Sequence, residues 1–417
     1  DAYPEGGPRA WLVVLGSFCG LVVSMGVMNS IGVYHAFVAH NQLRDYPESA
    51  IGWIFSVYIF FSLGLGVQIG PMFDHYGAQF LVLAGGVCLL VSAFLLSSCT
   101  EYWHFMLTFG VLMGAGSSLV FTPCIAAVGH WFSARRGNAT GMAATGGAVG
   151  GVILPLLLRR LFTDVGWPWA VRVQGFLFIA LLIPAVLLVR ARLPRKRGGS
   201  VAPNFAILRQ PRFATLTLGI YLMEWGLFVP IAYLPAYALG SGAFAPTFAF
   251  QLIAIFNAAS ALGRWLSGVL ADRYGRFNLM LLNLATCFLA SLALWLPATL
   301  LSARQHGAAA APRTVQALTV AYATVMGFGS GSNTSLTPVC VSSLCDIADY
   351  GRYYSTCYVL VAVGTLTGVP IAGAILGRCG GDYWGVALFT VLNYAGALAA
   401  FAAVRVMSVG WKVKVWF

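Results

Sequence analysis

Long apolar stretches recur along the whole chain, separated by short polar breaks. Twelve can be marked: 10–38, 50–73, 78–99, 102–129, 137–161, 168–191, 212–238, 247–271, 277–301, 314–342, 353–377 and 383–408. A helix needs about 20 residues to cross a bilayer, and each stretch is long enough. The runs are continuous rather than alternating, which excludes a membrane β-barrel. Glycine is frequent inside them, as at Gly64, Gly66, Gly146 and Gly147, where small residues let membrane helices approach closely. The pattern predicts an all-α membrane protein of twelve transmembrane helices. The first run begins near Ala10 without a basic flank or a small-residue cleavage site, so it is read as a true span rather than a signal peptide.

The longest polar interruption, 192–212, carries Arg195, Lys196 and Arg197 and splits the spans six and six. The expected organisation is therefore an N-terminal bundle over 1–191, a linker over 192–211 and a C-terminal bundle over 212–417. The two halves echo one another. Gly70, Asp74, Tyr76 and Gly77 follow the second span, and Gly268, Asp272, Tyr274 and Gly275 follow the eighth, each pair 198 residues apart. Met113-Gly114-Ala115-Gly116 leads to Thr122-Pro123 in span four, as Met326-Gly327-Phe328-Gly329 leads to Thr337-Pro338 in span ten. Two echoes in the same order around a basic linker point to an internal duplication, hence two pseudo-symmetric six-helix bundles.

Composition narrows the class. Only 9% of the 417 residues are charged and 59% are hydrophobic, whereas soluble domains carry about 25% charged residues. A soluble globule and a disordered chain are both excluded. The net charge of +12 is no nucleic-acid signal, because the basic residues sit in short clusters between spans. With both termini and the linker cytoplasmic, 16 basic residues lie inside, among them Arg9, Arg135, Arg136, Arg273, Arg276, Lys412 and Lys414. Six lie outside: Arg44, Arg159, Arg160, Arg304, Arg313 and Arg378. That asymmetry predicts the cytoplasmic orientation. The nine cysteines show no CxxC or metal-ligand spacing, so neither a disulfide framework nor a metal site is expected. No nucleophile elbow or P-loop is present, so no enzyme and no cofactor are expected.

Two six-helix halves with G-x-x-x-D-x-Y-G after spans two and eight resemble the major facilitator superfamily over the whole chain. A narrower resemblance is to the monocarboxylate transporter family. Glu5-Gly6-Gly7-Pro8-Arg9-Ala10-Trp11 is similar to its acidic-Gly-Gly…Trp opening. Trp131-Phe132-Ser133-Ala134-Arg135-Arg136-Gly137-Asn138-Ala139-Thr140-Gly141 is similar to its entry to span five. Asn29-Ser30-Ile31-Gly32-Val33-Tyr34 resembles the fungal branch. The resemblance implies transport by alternating access at the plasma membrane. It also implies departures. Animal members carry a Lys where Asn29 stands and an Asp where Ser260 stands, four residues before Arg264. Both residues are associated with proton-coupled lactate transport. The fungal branch includes members thought to export secondary metabolites, which implies larger apolar substrates as an option.

Few ionisable residues fall inside the spans. Arg264 lies mid-span, where an unpaired guanidinium is costly, so it should face a watery cavity or a partner. Its fork of donors suits a carboxylate or enolate of a small organic acid. The alternative is a structural Arg bonding helix carbonyls or a neighbouring acid. Glu224, near the start of span seven, is the candidate for proton coupling, or else a partner for Arg264. Asn29, Tyr34, Asn257, Tyr233, Asn333 and Tyr358 are the further substrate-binding candidates. The polar ones are as readily explained by bonds between helices, and Tyr233 and Tyr358 by packing. Asp74, Asp272, Arg273, Arg276, Arg135 and Arg136 sit at span ends and are assigned to gating. Acids there can pair with basic residues or helix termini in one state and separate in the other. Asp346, Asp349 and Arg352 form the corresponding loop between spans ten and eleven.

Three functions compete at this point. The first is a carrier of small monocarboxylate-like anions, with proton symport as an option. The second is an exporter of an acidic secondary metabolite. The third is a non-transporting nutrient receptor, which usually has a long cytoplasmic tail, whereas the stretch after Arg405 is short. The expected partners are an organic acid, membrane lipid and protons, without nucleic acid, and the expected working unit is a monomer.

Overall fold

A backbone amide left unpaired in hydrocarbon costs several kcal/mol, so apolar runs of this length have to form helices. The computed structural model describes residues 4–133, 135–192, 205–303, 312–345 and 350–410. Every long element among them is a helix. In chain order these are α1 (Pro8–Asn29), α2 (Ile31–His40), α3 (Glu48–Gly64), α4 (Gly66–Tyr76), α5 (Ala78–Leu96), α6 (Tyr102–Gly129), α7 (Arg136–Asp164) and α8 (Gly166–Leu188). They continue as α9 (Pro211–Gly240), α10 (Pro246–Tyr274), α11 (Arg276–Ala303), α12 (Pro312–Ser342), α13 (Tyr350–Arg378) and α14 (Trp384–Val409).

Among the described residues, eleven stretches are long and apolar enough to cross a membrane. The expected tenth span, α12, is 31 residues long but falls outside that set. Its apolar character is diluted by Ser330, Ser332, Asn333, Thr334, Ser335 and Thr337. Most of these are buried against protein rather than lipid, so the helix needs less apolar surface than its neighbours. Two expected spans are each broken once. Ser30 separates α1 from α2 and bonds back to Gly26 O at 2.6 Å. Leu65, between two helix-weakening glycines, separates α3 from α4. Spans four and nine each contain a π-helical stretch, Met106–Met113 and Ser291–Trp295, a local widening of the kind found at functional and strained sites.

The three most extensive helix pairs are α1 with α7, α7 with α10 and α10 with α12. The chain of contacts α1–α7–α10–α12 therefore crosses from the N-terminal to the C-terminal half. A second crossing joins α3 and α4 to α13. The linker arginines Arg195 and Arg197, with Lys196, lie outside the described residues, as do Asp346 and Asp349.

Candidate functional site

The α7–α10 seam is built from small residues on α7. A Cβ at Gly141 would lie 2.7 Å from Arg264 O, and one at Gly151 would lie 2.7 Å from Asn29 Cβ and 2.8 Å from Asn257 Oδ1. Only glycine permits α1 and α10 to come this close to α7. The close approach opens a line of α7 carbonyls to polar side chains from both neighbours. Asn29 Nδ2 donates to Gly147 O at 3.0 Å. Asn257 Nδ2 donates to Gly151 O at 3.1 Å and to Ile253 O at 3.0 Å. Arg264 Nη1 donates to Ala144 O at 2.9 Å, and its Nε to Ser260 Oγ at 3.3 Å.

Arg264 is 6% exposed and Glu224 8%. Their charges are close enough to influence each other, yet among the described residues they form no direct ion pair. Arg264 Nη2 makes no hydrogen bond to described protein groups. One arm of the guanidinium is therefore held by backbone while the other remains a donor. Tyr358 and Cys357 of α13 and Tyr394 of α14 lie within electrostatic reach of the buried Glu224. Tyr358 stacks on Tyr354, ring centroids 4.4 Å apart. Asn333 Nδ2, Tyr394 Oη and Trp225 Nε1 are buried without a hydrogen bond of good geometry, although Asn333 and Tyr394 lie within reach of each other. Buried polar groups without a good partner are costly, and Tyr394 is the one of these within electrostatic reach of Glu224.

Two proposed site residues lie elsewhere. Tyr34 is fully buried and packs edge-on against Phe109, Phe162 and Trp167. Its hydroxyl donates to Gln174 Oε1, so it is a packing residue of the N-terminal half. It is five positions from Asn29, which puts the two side chains about 140° apart around a helix. Tyr233 donates to Val369 O at 3.1 Å and thereby ties α9 to α13.

At the end of the seam nearest the N-terminus, Asp272 accepts hydrogen bonds from Gly137 N at 3.1 Å and Asn138 N at 2.9 Å. A carboxylate of α10 thus caps the first turn of α7, where orphan amides and the helix dipole favour negative charge. Arg276 and Arg136 flank this contact. Arg135 contributes only its backbone N–H, which donates to Glu5 Oε2 at 3.1 Å. Arg273 is exposed and makes none of these contacts. The side chain of Asp74 is not among those described.

Several contributors escape a reading of side chains alone. The α7 carbonyls carry no residue signature beyond the glycine spacing. Glu5, whose other oxygen accepts from Ser133 N at 2.8 Å, is legible only as an acid near the start. Arg405, buried and donating to Asn278 Oδ1 at 2.6 Å, sits at a span end and reads from sequence as a topology signal.

A profile of the major facilitator superfamily matches residues 16–311. The chain belongs to the major facilitator superfamily. MFS transporter asaE of Aspergillus flavus is 34% identical over 417 residues, covering 100% of this chain and 91% of that protein. The Fujikurins efflux protein of Gibberella fujikuroi is 36% identical over 377 residues, 89% of this chain and 77% of its own. The Riboflavin transporter MCH5 of Saccharomyces cerevisiae is 33% identical over 437 residues, 99% of this chain and 81% of its own. The relatives are fungal transporters, and this superfamily member is an integral, multi-pass membrane protein of the same kind.

Proposed function

We propose that the chain is a secondary active transporter of small organic anions, most closely allied to the monocarboxylate transporters. It works by alternating access of two six-helix bundles, 1–191 and 212–417, about the α7–α10 and α3–α13 seams. In this reading both termini are cytoplasmic, the protein acts as a monomer in the plasma membrane, and Arg264 anchors the anion. The observation that carries the proposal is the half-occupied guanidinium of Arg264: Nη1 bonds Ala144 O and Nε bonds Ser260 Oγ, while Nη2 makes no hydrogen bond to described protein groups. Glu224, buried and not directly paired, is the group that exchanges a proton with transport.

A second reading, export of a larger amphipathic acid, is favoured by the stacked aromatic pair Tyr354 and Tyr358 near Glu224 and by the efflux names of relatives such as the fujikurins protein. Proteoliposomes bearing a pH gradient separate the two. Movement of lactate or pyruvate supports the first. Movement of a bulky aromatic carboxylic acid with neither of these supports the second. In either case Arg264→Gln should abolish transport, and normal rates would remove the anchor. Glu224→Gln should flatten the pH dependence, and an unchanged pH profile would remove Glu224 from the coupling.

A further inference from the structure

A cleft of about 740 Å³ opens where the start of α9 meets the ends of α12 and α14, away from the α7–α10 seam. It is lined by Arg209, Gln210 and Arg212 on one side, and by Ser343, Leu344, Met407 and Ser408 on the other, with Phe213 and Pro211 in its wall. Arg209 and Arg212 are exposed and meet no carboxylate among the described residues. The first turn of α9 has no side-chain cap, so the amides of Arg212 and Phe213 lack intrahelical acceptors. Tyr353 donates to Gln210 Oε1 at 3.0 Å, which leaves the Gln210 amide nitrogen as a further donor. Ser408 Oγ is buried without a partner. The polar wall consists almost entirely of donors, and the opposite wall offers Leu344 and Met407.

We propose that this cleft binds a phosphate-bearing anion, and that an anionic phospholipid of the cytoplasmic leaflet is its source. Arginines held between membrane helices on that side pair with lipid phosphates. The apolar wall suits the first methylenes of an acyl chain, which a free phosphate would leave unused. The volume lies in the usual range for small-molecule sites, roughly 300–1,000 Å³. The inference rests on the cytoplasmic orientation proposed above and is independent of the transported substrate.

The test uses the full chain, purified and placed in phosphatidylcholine nanodiscs, titrated with phosphatidylinositol in one arm and inorganic phosphate in the other. Bound species are counted by native mass spectrometry. The parent should retain one phosphatidylinositol through delipidation. R209Q/R212Q, with an unchanged Tm in phosphatidylcholine, should bind it about tenfold more weakly or worse. R273Q removes an exposed arginine at the same end of the molecule and should bind like the parent. Equal weakening by R273Q, or no retention by the parent, overturns the site. Retention of inorganic phosphate without the lipid overturns the lipid assignment. Labelling of a cysteine at Phe205 from one face of the membrane reports the orientation separately.

Discussion

Replacing Asp272 with Ala removes the acceptor that joins α10 to the first turn of α7. Two backbone amides, at 3.1 and 2.9 Å, lose their partner where the helices touch. Loss of a helix N-cap acceptor costs about 0.5–2 kcal/mol, and loss of the negative charge at the dipole adds about 0.3–1 kcal/mol. A total near 2 kcal/mol corresponds to about 30-fold in a conformational ratio, since about 1.4 kcal/mol is tenfold. The cost falls only on the conformation in which these ends meet, because water satisfies the same amides once they part. The variant should therefore shift about 30-fold toward the conformation with this end open. Asp272→Asn keeps one acceptor oxygen and should shift it less. Spin labels at the exposed Phe80 of α5 and Phe205 ahead of α9 report the separation as distance distributions in nanodiscs. An enlarged long-distance population in D272A, smaller in D272N, is expected. Identical distributions in folded parent and D272A would refute the capping argument.

Gly263→Ala places a methyl against the carbonyl oxygen of Phe328 on α12, a backbone atom that cannot rotate away. The Tm should fall with a cost of about 1–3 kcal/mol, while Gly32→Ala, with nothing within 4 Å of the added carbon, should leave it unchanged. His130 lies just beyond the end of α6 and is pushed down from 6.5 to about 4 by burial, then by Arg136 and Arg192. Between those values the unfolded chain binds a proton that the folded chain refuses, so stability falls as pH drops from about 6.5 toward 4. Thermal melts across that window should show the loss, and His130→Gln should flatten it; an unchanged slope would show that another group titrates.

The helices are legible in the sequence because hydrocarbon leaves the backbone no alternative. Where the reading fell short, partners carried by the backbone were responsible. The Asn29 and Asn257 amides are visible as polar residues in apolar spans, but their acceptors are carbonyls of Gly147 and Gly151, which no residue type announces. Tyr34 shows the opposite error. An aromatic hydroxyl close to Asn29 in sequence looks like a cavity group, but five positions put the two about 140° apart around a helix, and Tyr34 enters a cluster with Gln174. Asp272 was legible as an acid repeated at a span end, and its placement on the α7 terminus follows from the close approach that Gly137 and Gly268 allow.

These placements bear on how a site and a gate would communicate. Arg264 and Asp272 lie eight residues apart on α10, about two helical turns. Both are bonded to α7, one to Ala144 O within the seam and the other to the first-turn amides at its end. In the proposed cycle, a motion that parts α10 from α7 at that end would break the Asp272 cap and the Arg264 bond to Ala144. An anion that binds the freed guanidinium favours the parted conformation by the difference between that interaction and the bond to the carbonyl. In the proposed cycle no relay between distant sites is required, because the same pair of helices carries the anchor and the latch.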